Sequence, residues 1–555
     1  MALNSSDVVA QTRLTPNASE ILDKHRKTRL LPLDSNAITA FSPTRSISTA
    51  PGVDDFATVQ VNGFHFLGNS EIDSKTLSEI TKPFTGKLLT LDEIGDVSEA
   101  VIAAFHRRGF FVARAIVPPQ EIQGGIVTII ILEGRLETDG LLIDNRTLRT
   151  KTAYVRRILT TQINSGEAIN QVDYERALLL VNDLAGVHVR ARLYPGQEIG
   201  SARLTTELVE TNLVSGNLIY DNFGQHAFGA HQGSASINVD NPFGGNNSAT
   251  FRTVTSGRGM KYASGEAKFP MGADGIILGA SVSWLKYKVV EDPNGLEEHG
   301  NAKSAAVEIA YPFKRSTTGN LYGVLKAERI VSVDEINTRK TNRATVDFAE
   351  ATLHGDFSSI PITPAVTAYA LSAYMGHVRH NRGADDFNTG GGFGVLEASL
   401  SHLQSLTGPF SIFAKASGQI ATDNLDGSLK CSLGGPYSNR AYPTGEGSAD
   451  QCLTLNIDLR YDLPKPIVAA NWQILAFLDH SIGDEFKDAV TGVENFNYHL
   501  SSVGLAVNAN WSNRSELRFM LGYQLNESAE QERFGEASDS RSGPYRAWLQ
   551  AIMYF

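Results

Sequence analysis

Cys431 and Cys452 are the only cysteines in the 555 residues. The segment they bracket, CSLGGPYSNRAYPTGEGSADQC, is where the side-chain chemistry of the chain concentrates. Two thiols at this spacing can close a loop of about 20 residues, worth roughly 3 kcal/mol of loop entropy if unstrained. Two cysteines in so long a chain suit either a cytosol that tolerates thiols or an oxidising compartment with one bond. Between them lie glycines, prolines, two tyrosines and a single arginine, Arg440. An arginine in such a loop is either solvated or tied to a carboxylate. A bidentate pair of the second kind fixes one geometry.

Other chemistry is not marked. There is no Gly-x-x-x-x-Gly-Lys-Ser/Thr for nucleotide phosphates, and NTGGGFG has glycines but no lysine and no following helix. There is no His-Glu-x-x-His or Cys-x-x-Cys, and the 13 histidines are scattered, so no metal site is expected. No Gly-x-Ser-x-Gly elbow occurs. A lipase or protease would need a Ser/His/Asp set facing one spot, and nothing marks one. The expectation is a protein that is not an enzyme and uses no cofactor. The net charge of −11 argues against nucleic acid as the main partner. No run of ~20 apolar residues offers a membrane-crossing helix. The start, MALNSSDVVAQTRL, lacks the apolar core of a secretory signal. Alone that favours the cytosol; a removed signal or a start placed too late would look the same.

The elements that position the loop are read outward from it. Thr15 to Leu31 reads as one amphipathic helix, with Pro16 in its first turn and Ile21 and Leu22 on a small apolar face. A Ser/Thr/Pro-rich linker follows, over 32–55. Then comes a repeat. GFFVARAIVPPQEI (Gly109 to Ile122) matches GVHVRARLYPGQEI (Gly186 to Ile199). In each copy a short strand and two helical stretches precede the match, and β-rich runs surround the Pro-x-Gln-Glu-Ile turn. Thr90 and Glu93 have the spacing of a capping box. Leu91, Ile94, Val101, Ile102 and Phe105 share a helix face, as do Val172, Leu178, Leu179, Val181 and Leu184 in the second copy. Residues 56–137 and 138–211 are therefore expected to be two β-α-α-β-β domains.

After Asn212 helical periodicity disappears. Sixteen runs of alternating apolar and polar residues take its place, such as LTLNIDLRYDL and SELRFMLGYQL. Short connections (MGADG, KRSTTG, SLTG) alternate with long ones (Glu291–Ala302, Arg379–Gly391, Ile482–Asn497, Asn526–Gly543), and SGRGM is the one exception. That asymmetry predicts an antiparallel transmembrane barrel over 212–555, with tight periplasmic turns and long outer loops. Closure removes the open edges that lipid would not tolerate. The chain ends on YRAWLQAIMYF, with the aromatic Phe555 on the face of Met553, Ala551, Leu549 and Ala547.

Two such α+β domains before an all-β 16-stranded barrel resemble the POTRA domains and barrel of the two-partner-secretion transporters (TpsB family), the haemolysin and haemagglutinin secretion proteins of Gram-negative outer membranes. YDNFGQHAFGAHQG followed by NVDNPFGGN is similar to the family's entry into the barrel. LGGPYSNRAYPTGEGSAD, with Gly434 and Gly435, resembles its sixth extracellular loop. There the tetrapeptide is usually Val-Arg-Gly-Tyr; here it is Asn439-Arg440-Ala441-Tyr442. The family's Phe-x-Asp-x-Gly strand motif is similar to AFLDHSIG, which keeps Phe477 and Asp479, has Ser481 for the glycine and places Gly483 two residues later.

The resemblance implies that the loop folds into the lumen, that Arg440 pairs with Asp479 as a latch, and that Phe555 is the insertion signal read by the barrel-assembly machinery. The disulfide Cys431–Cys452 would sit at the two bases of this loop, between the eleventh and twelfth strands, in an oxidising envelope. The implied function is an outer-membrane pore, embedded in lipid, that secretes an unfolded β-helical exoprotein without ATP. The POTRA domains would catch the client in the periplasm, and the helix within residues 1–31 would plug the resting pore. A barrel-assembly insertase and a passive solute porin are the alternatives.

Overall fold

The computed structural model describes residue 18 and residues 58–555, apart from 148, 291–296, 338, 360–363, 383, 384, 386 and 513. The N-terminal helix and the linker expected before residue 56 lie outside the described residues, save Ala18.

The first unit runs β1 (Thr58–Val61), β2 (Gly63–Leu67), α1 (Ser74–Thr81), β3 (Lys87–Thr90), α2 (Leu91–Arg107), β4 (Arg114–Ile116) and β5 (Ile126–Leu132). The second runs β6 (Arg135–Asn145), α3 (Thr152–Gln162), α4 (Gln171–Asn182), β7 (Val187–Pro195) and β8 (Ser201–Glu210). Their sheets have the orders β2-β5-β4 and β6-β8-β7, one parallel and one antiparallel pairing in each. The first unit adds a separate two-stranded antiparallel sheet, β1–β3, because the run read as one strand breaks at Asn62. Strand β6 begins at Arg135, three residues before the boundary expected at 138.

Helix α2 starts where its capping box places it: Thr90 Oγ1 accepts from Glu93 N, and Thr90 N donates to the Glu93 carboxylate. Ile94, Val101 and Phe105 are buried, together with Val97 and Ala104. Leu91 and Val172 are exposed instead, since each lies in the first turn of its helix and off the buried stripe. The repeat shows in the backbone: Gly109 and Gly186 both have positive φ, 92° and 86°, where each chain leaves its helix for a strand. The shared Pro-x-Gln-Glu-Ile turns differ in use. Gln120 brackets Thr128 with two hydrogen bonds, whereas the Gln197 amide donates to Glu137.

The units are joined through Glu133. Its buried carboxylate accepts from Ser70 N and Oγ, Glu71 N and Arg135 Nη2. Burial would push it up, but these donors outweigh burial and hold it below the usual glutamate range. The second unit docks on barrel turns: Arg176 donates to Pro312 O and Asp274 O, and Arg315 makes a two-point pair with Asp183.

The barrel closes with 16 strands. Its first strands are β9 (Val214–Asp221), β10 (Gln232–Asp240), β11 (Ser248–Thr255), β12 (Met260–Met271) and β13 (Ile276–Lys288). The longest follow: β14 (Glu298–Ser316), β15 (Gly319–Ile336), β16 (Arg339–Ser359) and β17 (Ala365–Arg382). Then come β18 (Gly391–Ser405) and β19 (Phe410–Ala421), and, inside one loop, the short pair β20 (Cys431–Ser432) and β21 (Ser448–Ala449). The last wall strands are β22 (Gln451–Asp462), β23 (Asn471–Asp484), β24 (Asn497–Trp511), β25 (Ser515–Gln524) and β26 (Tyr545–Tyr554), and β26 pairs with β9.

Every wall pairing is antiparallel, and side chains alternate between lipid and lumen. Val282, Val307, Leu325 and Met375 face out and are exposed; Leu285, Ala302 and Ile330 face in. Aromatic pairs Tyr311–Phe313, Phe357–Tyr369, Phe410–Tyr461 and Trp472–Trp511 mark the rim at the short turns, as an interfacial girdle should.

Strands β14–β17 run to 18–21 residues, well beyond the ~9–11 that span a membrane. They take in the ends of the long links expected at Glu291–Ala302 and Arg379–Gly391, over 298–302 and 379–382. A second tight outer connection lies between Ile336 and Arg339. Outside the membrane, backbone pairing continues through polar residues, so the apolar alternation ends before the strand does.

Candidate functional site: the loop inside the barrel

The segment 422–450 joins β19 to β22, the eleventh and twelfth wall strands, on the side of the long loops. It folds inward and lies against the luminal faces of β22–β26. Gly435, at φ 118°, gives the backbone its turn, and its N–H reaches the carbonyls of Asn439 and Tyr442. Gly434 is crowded by Pro443 O and Glu446, where a Cβ would lie 2.6 Å from the former.

Arg440 and Asp479 are in contact. Arg440 Nε donates to Asp479 Oδ2 at 2.9 Å and Nη2 to Oδ1 at 2.6 Å, a two-point pair, and the Arg440 backbone N–H adds 3.0 Å to Oδ2. The same Nη2 reaches Asp458 Oδ1 at 2.8 Å, and Asp458 also takes Arg460. Asn456 donates to Asp479 at 2.8 Å and to Ser438 O at 2.7 Å. The guanidinium stacks 3.9 Å over the ring of Phe477. Asp479 is 0% exposed.

The flanking residues are held as firmly. Asn439 donates to Leu500 O at 2.9 Å, and Trp548 donates to Arg440 O at 2.7 Å. Ala441 O accepts from Gln524. Tyr442 is fully buried with its hydroxyl donating to Asn526 O at 2.7 Å, and burial pushes the phenol up to about 12. Close approach depends on glycines the sequence did not single out. A Cβ at Gly522 would lie 2.8 Å from Arg440 O, and one at Gly504 2.2 Å from the Phe477 ring. The family's glycine position holds Ser481, buried and bonded to Thr454. The tight packing falls at Gly483, where a Cβ would meet Ala449 at 2.9 Å.

Cys431 and Cys452 are joined by a disulfide, with Cα atoms 6.6 Å apart. Cys452 lies on the wall, opposite Gln419. Cys431 does not sit at the base of the loop: it lies well past the end of β19 and pairs with Ala449 in the β20–β21 hairpin. The residues before it form a turn whose Leu425 and Leu429 pack into the lumen, so the crosslink pins an inner subloop. Phe555 continues the last strand, exchanging backbone hydrogen bonds with Gly216 of β9. Asp458, Asn456, Phe223 and Trp548 also build the site. Phe223 belongs to the barrel-entry motif and packs edge-on against Tyr437 and Trp548; the other three stand in no short motif, and only strand register brings them to the loop.

Residues 200–494 match the family model described as haemolysin secretion/activation protein ShlB/FhaC/HecB, and residues 59–134 match a POTRA domain of ShlB type. A 16-stranded barrel with an inward-folded loop and such domains at its periplasmic mouth defines an outer-membrane transporter of the two-partner-secretion class. The chain belongs to the ShlB/FhaC/HecB family, resides in the outer membrane and secretes an exoprotein. It is 25% identical over 440 residues to the heme/hemopexin transporter protein HuxB of Haemophilus influenzae, covering 76% of this chain and 75% of that one. It is 27% identical over 136 residues to the outer membrane transporter CdiB of Dickeya dadantii, 24% of this chain and 23% of that one. The fold matches that of CdiB from Escherichia coli with a TM-score of 0.76 at 17% identity, over 98% of this chain and 100% of that one.

Proposed function

We propose that the loop 422–450 is the latch of the transporter, and that its Arg440–Asp479 pair sets the luminal geometry through which an extended exoprotein passes. The observation that carries this reading is the charge cluster itself: one arginine against two buried aspartates, on a loop rather than on the wall. Barrel stability rests on inter-strand hydrogen bonds and the apolar band, which Arg440 does not enter. The pair therefore serves loop position. Its environment is drier than a water-filled lumen, so removing Arg440 leaves two carboxylates short of a donor, a local cost of about 3–5 kcal/mol.

The client is read as an unfolded, β-helix-forming exoprotein. The periplasmic sheets end on β2 and β4 and on β6 and β7, and sheet edges are where an extended segment adds as a strand. Folding outside the cell supplies the drive, and insertion of the barrel by the assembly machinery reads Phe555. The N-terminal segment is read as a plug. Ala18 supports this: it is fully buried among Leu285, Tyr287 and other luminal side chains, and its N–H donates to Asp334 at 3.0 Å.

The test is a secretion assay with the cognate exoprotein at matched membrane levels. Arg440→Ala and Asp479→Ala should each cut secretion while the barrel stays inserted. The double variant should be little worse than either single one, because both remove the same interaction. Strictly additive losses would separate the two residues and end the latch reading.

A further inference from the structure

The outward face of β12–β17 differs from the rest of the barrel. Among the described side chains, seven exposed cations stand at its outer end: Lys261, Lys286, Lys288, Lys303, Arg329, Arg343 and Arg379, two of them on β13. Register places them on the lipid side in four adjacent rows. Lys261 is opposite Lys286; Lys303 lies beside Trp284 and Val331; Arg329 lies beside Ala305, and Arg343 and Arg379 follow on the next strands. Three carboxylates stand among them: Asp347, paired at 2.5 Å with both Arg329 and Arg379, Glu335 against His299, and Glu297 against Lys288. Among the described residues, the outward faces of the other ten wall strands carry no lysine or arginine, because Arg252, Lys415, Arg460, Arg518 and Arg546 all point inward by alternation.

Directly beneath the cations the wall is recessed. An open groove of about 1070 Å³ runs across the same strands. Its floor is built of small outward residues in register: Ala267, Ala280, Ala305, Ala327 and Ala349. Phe251, Val282, Val307 and Met375 stand around it, all exposed. An apolar trough below a basic rim, at the level of the outer leaflet, matches a lipid with several acyl chains and more than one phosphate. Arginine forks bind phosphate oxygens at two points. The excess of cations over carboxylates suits an anionic headgroup rather than a zwitterionic one.

We propose that this face is a binding site for the phosphorylated glycolipid of the outer leaflet, a lipid A-type bisphosphate, with its phosphates on Lys303, Arg329 and Arg379 and its chains in the alanine-floored groove. The occupied site fixes the rotational setting of the barrel in the membrane, because only one side of the wall carries it.

Full-length protein in detergent, titrated with lipid A bisphosphate and read by native mass spectrometry, tests this. Monophosphoryl lipid A, phosphatidylglycerol and inorganic phosphate are the comparison arms. Lipid A bisphosphate should bind tightest, with the monophosphoryl form weaker by about fivefold. Lys303→Gln, Arg329→Gln and Arg379→Gln combined should weaken it by roughly a hundredfold. Ala280→Phe with Ala327→Phe should also weaken it, with the charges intact. Equal binding of phosphatidylglycerol, displacement of the lipid by inorganic phosphate alone, or no change in the triple variant would overturn the proposal. Loss of secretion in the triple variant with unchanged lipid binding would overturn it too, and would assign the cations to the exoprotein. If the triple variant does not insert, the bisphosphate-to-monophosphate ratio on the unaltered protein decides.

Discussion

At the scale of residues, the site is a matter of which atoms can come close. Gly522 is the clearest case, since its missing Cβ is the space that Arg440 O and Ala441 occupy. Gly522→Val should push the tetrapeptide off the wall and reproduce the secretion loss of Arg440→Ala. Heat-modifiability on a gel should show the barrel still folded; normal secretion would mean the loop does not need that contact. The disulfide is expected to matter less. Glu446, Asp450 and Lys430 also tie the loop, through Ser528 and Ser538, Lys487 N, and Glu485 O. Cys431→Ser with Cys452→Ser should therefore leave secretion within about a factor of two, although it gives up some of the roughly 3 kcal/mol of loop entropy. Peptide mapping without reductant should find the two thiols bonded in membrane-derived protein. Arg440 and Asp479 were legible because each stands in a recognisable short pattern. Asp458, Gly504 and Gly522 were not: each is one residue in an alternating strand, and only register aims it at the loop.

At the scale of elements, the junction of the two periplasmic units and the N-terminal segment carry separate predictions. Glu133 titrates below the usual glutamate value, so the stability it lends is full above about pH 4.5 and is lost as pH falls through its lowered value. Exchange of the Ser70 and Glu71 amides, corrected for intrinsic rates, should rise only in acid. In Glu133→Gln the pH dependence should vanish and the junction should be weaker by about 2 kcal/mol at neutral pH. An unchanged acid response in the variant would assign it to another group. Deletion of residues 1–31 should raise the resting conductance in planar bilayers; unchanged conductance would rule out a plug. The element pattern was legible where one face is buried, as in α2 with its capping box. It was less so for strands β14–β17, whose outer ends run through polar residues such as Glu298 to Asn301. There the strand extends a few residues into the expected loops, because pairing outside the membrane asks nothing of the side chains.

At the scale of the whole molecule, alternation, turn asymmetry and the 77-residue repeat expose the architecture in one sequence, because lipid and closure leave few other solutions. The lateral asymmetry of the wall is hidden from the same reading. A lysine or arginine on one strand has no meaning until register puts six strands side by side. On the proposed reading the molecule is a passive conduit: periplasmic edges take an extended client, the latched lumen passes it, and folding outside makes the step one-way. The most direct test is reconstitution of this protein alone into liposomes, with an unfolded N-terminal fragment of the cognate exoprotein on the POTRA side and no nucleotide. The fragment should appear on the opposite side, at a rate strongly reduced by Arg440→Ala. Absence of translocation until ATP or a second membrane component is added would contradict the account.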